Sequence, residues 1–144
     1  ENEIAPLVLE FASGGRLVFY ITDALSVVQA IEKFLGKFGD SDQVRTRSLF
    51  ARSLQGIYVQ RLIPRIGGGK ILAEEILLGT QAVKTVLESG KIQQLESILQ
   101  TSLAEGMISL DQSLAKLVKN GEVSMSEAEE FANDKQNFRT MISI

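Results

Sequence analysis

The stretch that most constrains this chain is Ser53 to Arg65, Ser-Leu-Gln-Gly-Ile-Tyr-Val-Gln-Arg-Leu-Ile-Pro-Arg, where a helical pattern runs in and an alternating one leaves. Upstream, Val44, Ala51 and Leu54 recur at helical spacing beside Leu49 and Phe50. Downstream, Ile57, Val59 and Ile63 alternate with Tyr58, Gln60 and Leu62, the period of a strand with one face turned to each side. After Pro64-Arg65, the run Ile66-Gly67-Gly68-Gly69 can turn the chain through positive φ at low steric cost, and Lys70 to Leu78 reads as a second strand. Helix, strand, glycine turn, strand is the unit on which the rest is arranged.

The flanks are more helical. Ile4, Leu7, Val8 and Phe11 predict an opening helix with Pro6 in its first turn and a stop at Ser13-Gly14-Gly15. Leu17 to Ile21 is an unbroken apolar run, which predicts a strand buried on both faces of a mainly parallel sheet. Thr22 or Asp23 is placed to cap a following helix that carries Val27, Val28, Ile31, Phe34, Leu35 and Phe38 and ends near Gly36 to Gly39. Beyond the hairpin, helices are predicted over Thr80–Glu88, Ile92–Thr101, Leu110–Val118 and Ser126–Met141. Ser109 with Gln112 and Ser124 with Glu127 have capping-box spacing. The fold class is therefore α/β with a mainly helical C-terminal half, divided near Lys37 to Asp42.

Composition removes much chemistry. With 144 residues and 44% hydrophobic content the chain can form one sizeable core. It has neither cysteine nor histidine, which excludes disulfides, thiolate and imidazole catalysis, and His or Cys metal sites built from its own residues. The 15 basic residues are scattered within a net charge of −3, so no nucleic-acid surface is expected. No apolar run reaches the roughly 20 residues of a membrane span, and a cytoplasmic setting without direct membrane insertion is expected.

Candidate sites fail on detail. Asp40-Ser41-Asp42 lacks the third acid and the glycine of a calcium loop and reads as a solvated turn with an N-cap. Gly67-Gly68-Gly69-Lys70 has proline and isoleucine where a phosphate-binding loop needs glycine and Ser or Thr, and it leads out of a hairpin rather than into a helix. Gly14-Gly15-Arg16 is better placed for an anion, though Arg16 reads equally as a solvated residue before a strand. Glu74 and Glu75 share a strand, so they point to opposite faces and do not act as a pair.

From Ser53 to Arg65 the chain resembles the C-terminal half of the secretion and type IV pilus ATPases, closest to the twitching-motility, pilus-retraction members. The similarity continues through Ala73-Glu-Glu-Ile-Leu77, Gln81 to Leu95, Ile98-Leu-Gln-Thr101, Glu105 to Leu114 and Gly121 to Ala128, in order and in register. Backwards from there, Gly14-Gly15-Arg16-Leu-Val-Phe19 resembles the family's Thr-Gly-His-Leu-Val-Phe, and Glu3 falls where a Glu-Thr pair follows the second acidic nucleotide motif.

The resemblance implies a remnant of a RecA-like sheet over residues 1–40 and a hairpin-containing, mostly helical domain over 41–144. It implies that the lysine phosphate loop and the magnesium-holding acids lie before Glu1, so that ATP and Mg2+ belong to the full-length parent. This chain, with no cofactor of its own, is expected to be inactive alone. It implies a hexameric parent that drives pilus assembly, retraction or type II secretion, held peripherally at the inner membrane by a pilus or secretion platform protein.

By the same resemblance Glu3, Arg16, Asp23 and Arg47 are nucleotide-proximal, and Ala82, Val83, Lys84, Leu87 and Glu88 form a subunit or partner interface. Arg47 reads equally as a core-edge residue. Arg16 and Asp23 replace family histidines, Asp23 in the His box; Lys84 softens one arginine and Glu88 reverses another. A degenerate, non-catalytic assembly or regulatory subunit is the alternative these departures raise, and a helical interaction domain unrelated to ATPases is a third.

Overall fold

A computed structural model describes residues 4–39 and 42–143. Eight α-helices and one antiparallel hairpin make up its regular elements apart from short 3₁₀ turns, in the order α1 (Ile4–Ser13), α2 (Val27–Leu35), α3 (Gln43–Ser53), β1 (Gly56–Pro64), β2 (Lys70–Leu78), α4 (Gln81–Ser89), α5 (Leu95–Thr101), α6 (Leu110–Lys119), α7 (Met125–Phe131) and α8 (Lys135–Ile142).

The hairpin forms where the alternation demands it. Val59 faces Glu75 and Ile63 faces Ile71 across the ladder, and Pro64 closes it opposite Lys70. Gly67, Gly68 and Gly69 hold φ of 86°, 108° and 75°, a turn that side chains with a Cβ resist. On the inner face, Val59 and Leu77 enter one apolar cluster with Val27, Ile31, Val83, Leu87, Leu95 and Leu99. Ile63 and Ala73, further towards the turn, enter a second with Leu110, Leu114, Val123 and Phe138. Each large side chain so buried contributes about 1.5–3 kcal/mol. Glu75 lies between Ala73 and Leu77 on the same face, at the seam of the two clusters.

Helix ends follow from local chemistry. Thr80, Ser109 and Ser124 accept from Val83, Gln112 and Glu127 amides, and at Ser109 the Gln112 side chain returns the bond to complete a capping box. The cap of α2 is Ser26 rather than Thr22 or Asp23; its oxygen accepts from Gln29 N at 3.1 Å while Gln29 Oε1 accepts from Leu25 N at 2.6 Å, which fixes the helix start. Asp42 occupies the cap position of α3 without a side-chain capping bond, and Asp40 and Ser41 lie outside the described residues.

Further expectations are corrected. Leu17 to Ile21 forms no strand ladder, with Leu17, Phe19 and Ile21 at 74%, 84% and 94% exposure. An apolar run is buried on both faces only when neighbouring strands and two covering layers are present. Among the described residues the ladder is the β1–β2 hairpin with a bridge from Ile76 to Ile108, so only Val18 and Tyr20 turn inward. Helix α1 buries Ala5 and Leu9, not the stripe of Ile4, Leu7 and Phe11. The small Ala5 and Leu9, one turn apart, meet an aromatic group in which Phe34 lies 5.3 Å from Tyr20 and 5.1 Å from Phe50 between ring centres. Val44, expected on the packed side of α3, is exposed as well.

Finally, the helix expected over Ser126–Met141 is two, α7 and α8. The break at Ala132-Asn133-Asp134 is held by Asp111, whose carboxylate accepts from Asn133 N at 2.7 Å and Asp134 N at 2.9 Å. Asp134 in turn caps α8 through Asn137 N. The chain thereby folds back far enough to bury Phe138 completely.

Candidate functional site

The sequence-selected residues are dispersed. Glu3 lies outside the described residues. Arg16 follows α1 and stacks its guanidinium 5.1 Å from the Phe11 ring centre. Asp23 stands in the exposed segment before α2, where Lys33 Nζ reaches its carboxylate at 3.2 Å. The Lys33 hydrogen bond holds the Asp23 carboxyl below its ordinary range. Among the described residues no hydrogen bond or ion pair joins any two of Arg16, Asp23 and Arg47.

Arg47 projects from α3 to the C-terminal end of α4, where unpaired carbonyls favour a cation. Its Cζ lies 3.4 Å from the place a Cβ on Gly90 would take, so glycine there gives the guanidinium its seat. Among the described residues Arg47 Nε is buried without a hydrogen-bond partner. It borders a pocket of about 210 Å³ shared with Glu32, Gly36, Thr46, Gly90 and Ile92.

Helix α4 splits the expected interface. Val83 and Leu87 are 0% and 1% exposed inside the first apolar cluster, so their side chains are not available to a partner. A helix with one face in the core presents only the other, and of the named residues Ala82, Lys84 and Glu88 reach the surface.

The most developed polar arrangement centres on Glu75, an acid that does not pair with its neighbour Glu74. Glu75 is 3% exposed, and its two oxygens serve different helices: Oε1 accepts from Val27 N at 2.6 Å and Oε2 from Leu110 N at 3.1 Å. Those are the first amides of α2 and α6, so one carboxylate faces the positive ends of two helices. Asn133 Nδ2 approaches Oε2 at 3.4 Å and ties in the α7–α8 break. The signal was present in the sequence: a carboxylate on the inward register of an otherwise apolar strand is rare unless it is paired. Glu74, on the outer face, accepts from Tyr58 Oη at 2.8 Å, and so the two adjacent acids stay apart as their strand position requires.

Burial pushes the Glu75 carboxyl up against the opposing pull of the Val27 and Leu110 amides, with Asp111 and Glu96 adding repulsion. Burial raises Asp111 likewise. A raised folded value means that the folded chain binds more protons than the unfolded one, so stability falls as pH climbs from the ordinary values, 4.5 and 3.8, through the raised ones. Urea unfolding followed from about pH 4 to about pH 7 is expected to show this decline in the native chain and a flatter profile in Glu75→Gln. Equal slopes would mean that Glu75 has the same proton affinity in both states.

Comparison with known proteins agrees over nearly the whole chain. It is 35% identical over 136 residues to the type IV pilus retraction ATPase PilT of Pseudomonas aeruginosa, covering 94% of this chain and 40% of that protein. It is 30% identical over 138 residues to a twitching motility protein of Neisseria gonorrhoeae, covering 95% of this chain and 37% of that one. The crystal structure of the pilus retraction motor PilT with bound ADP superposes with a TM-score of 0.86 at 30% identity, over 97% of this chain and 39% of that one. Over nearly its whole length the chain is similar to type IV pilus retraction ATPases. The ATPase DotB of Yersinia pseudotuberculosis shares the fold, with a TM-score of 0.76 at 16% identity over 91% of this chain and 34% of that one. No protein-family model matches the chain. It spans about two fifths of the length of these relatives, which is the stretch to which the family likeness applies.

The triple glycine turns a hairpin, with Gly68 N bonded back to Arg65 O, instead of opening onto a helix. No group of three acidic side chains is arranged around a common cation position among the described residues. No helix among them is long and apolar enough to cross a membrane.

Proposed function

We propose that this chain is the C-terminal portion of a hexameric traffic ATPase that powers type IV pilus assembly or retraction, or type II secretion, with ATP and Mg2+ held by residues that precede it. The observation that carries this reading is the 0.86 superposition on a pilus retraction motor solved with ADP, supported by 35% identity to a retraction ATPase. In this reading residues 1–40 complete the nucleotide-binding core, and 41–144 form the domain whose movement reports hydrolysis to a platform protein at the cytoplasmic face of the inner membrane. Arg16, Asp23 and Arg47 lie towards nucleotide, and the exposed Ala82, Lys84 and Glu88 of α4 meet a neighbouring subunit or partner. In this reading the chemical step is carried by residues that precede the chain.

One observation favours the second reading, a non-catalytic assembly or regulatory subunit. Asp23, aligned on the His box, is an acid already engaged by Lys33, and it has no imidazole's capacity to carry a proton near neutral pH.

A hybrid tests both: this chain replaces the corresponding stretch of the Pseudomonas PilT, and size and ATP turnover are measured. A ring that hydrolyses ATP, faster after Asp23→His, supports the motor. A ring without turnover, unresponsive to Asp23→His, supports the non-catalytic subunit. ATP turnover above background by residues 1–144 alone would overturn the assignment of nucleotide chemistry to preceding residues.

A further inference from the structure

We infer that Glu75 is a positioning residue that joins the starts of α2 and α6 into one latch, so that a displacement of the segment before α2 is transmitted to the C-terminal helices through a single carboxylate. Its use in a motor rests on the function proposed above; the latch itself is a property of this chain.

The argument begins with connectivity. Residues 22–26 lead into α2 and carry Asp23 and the cap Ser26, while α6 opens the helical C-terminal end; the two helix starts are far apart in sequence. They meet because the hairpin's inner face spans both apolar clusters, and Glu75 occupies the register position between Leu77 of one and Ala73 of the other. An apolar residue there would join the clusters by packing, which tolerates small slips. Two short bonds to separate oxygens of one planar group do not: if Val27 N moves, Oε1 follows, and Oε2 rotates away from Leu110 N.

The second link extends the first. Leu110, which Glu75 holds, is followed by Asp111, which holds the Asn133 and Asp134 amides and so the start of α8; Asn133 also reaches Glu75. The starts of α2, α6 and α8 are thus wired through Glu75 and Asp111, with Glu96 of α5 the further acid that faces Glu75. A buried carboxylate is costly to desolvate, and its retention is explained by the three donors it satisfies from three segments.

The latch makes a prediction that simple stabilisation does not: weakening one helix start should loosen the other only while Glu75 connects them. Backbone amide exchange of the 144-residue chain reads this directly. Ser26→Ala removes the α2 cap, and exchange at Val27 is expected to quicken roughly fivefold, with a several-fold rise at Leu110 in the native background. In Glu75→Gln, which retains an acceptor for one amide only, the Leu110 response to Ser26→Ala is expected to vanish. Ser124→Ala, a cap loss of the same kind on α7, should leave Val27 unchanged and so controls for a general loss of stability.

A Leu110 amide indifferent to Ser26→Ala, or a response undiminished in Glu75→Gln, would overturn the latch. If the exchange results hold while the PilT hybrid assembles no ring, the motor reading fails and the latch stands. If the hybrid turns over ATP while Val27 and Leu110 exchange independently, the reverse is true.

Discussion

Phe138→Ala is expected to destabilise the chain by about 3–5 kcal/mol, the range for deleting a buried phenylalanine from a site that cannot collapse around the void. Phe138 is 0% exposed and packs with Ile63, Ala73, Leu110, Leu114, Val123 and Ala128, drawn from β1, β2, α6, the α6–α7 connection and α7. Collapse is hindered because α8 is fixed at its start by the Asp134 cap and the Asp111 carboxylate, independently of the ring. Urea unfolding monitored by circular dichroism gives the measurement. Phe19→Ala, at a position 84% exposed, is the matched control and should move stability by no more than about 0.5 kcal/mol. A loss below about 1 kcal/mol at Phe138 would show that α8 is not docked in solution.

The same helix shows what a sequence hides. Apolar periodicity over 126–141 is continuous enough to suggest one helix, because the periodicity registers which residues are buried and not which amides are captured. The capture is by Asp111, more than twenty residues upstream, a long-range hydrogen bond with no local signature. The hairpin and the caps at Ser109 and Ser124 are legible for the opposite reason. Alternation, glycines that must turn and Ser-x-x-Gln spacing are local causes with local effects, and the structure carries them out at Gly56–Leu78 and Ser109.

Leu17–Ile21 fails for a related reason: its composition predicts a buried strand, yet pairing and burial are properties of what surrounds a segment, and the described residues supply no neighbouring strand. The nucleotide-proximal and interface residues are named only through family likeness. Composition removes imidazole and thiolate chemistry without pointing to a substitute, and Glu75, the acid with the most structural consequence, is marked in the sequence by the strand face it occupies rather than by pairing with Glu74.

Gly79→Ala is the other substitution of large expected effect, and it returns to the helix-to-strand junction. Gly79 does not need its glycine for φ; it needs it for space. Its amide donates to Gln55 O at 2.8 Å, and a Cβ added to it would stand 2.1 Å from the Leu54 carbonyl oxygen and 3.3 Å from that of Gln55. Both obstacles are backbone, so no side-chain rotation relieves them. The main chain where α3 hands over to β1 would have to shift, along with the Leu54 N to Phe50 O bond of 2.9 Å that ends the helix. The expected cost lies at or above the top of the about 1–3 kcal/mol typical of overpacking, with a fall in soluble yield. Gly67→Ala separates this from a conformational penalty: no heavy atom lies within 4 Å of its added Cβ, and its φ of 86° alone should cost roughly 1 kcal/mol. If thermal unfolding shows Gly79→Ala no worse than Gly67→Ala, the junction can relax, and the close approach of β2's end to the Leu54–Gln55 backbone is not what fixes the hairpin against α3.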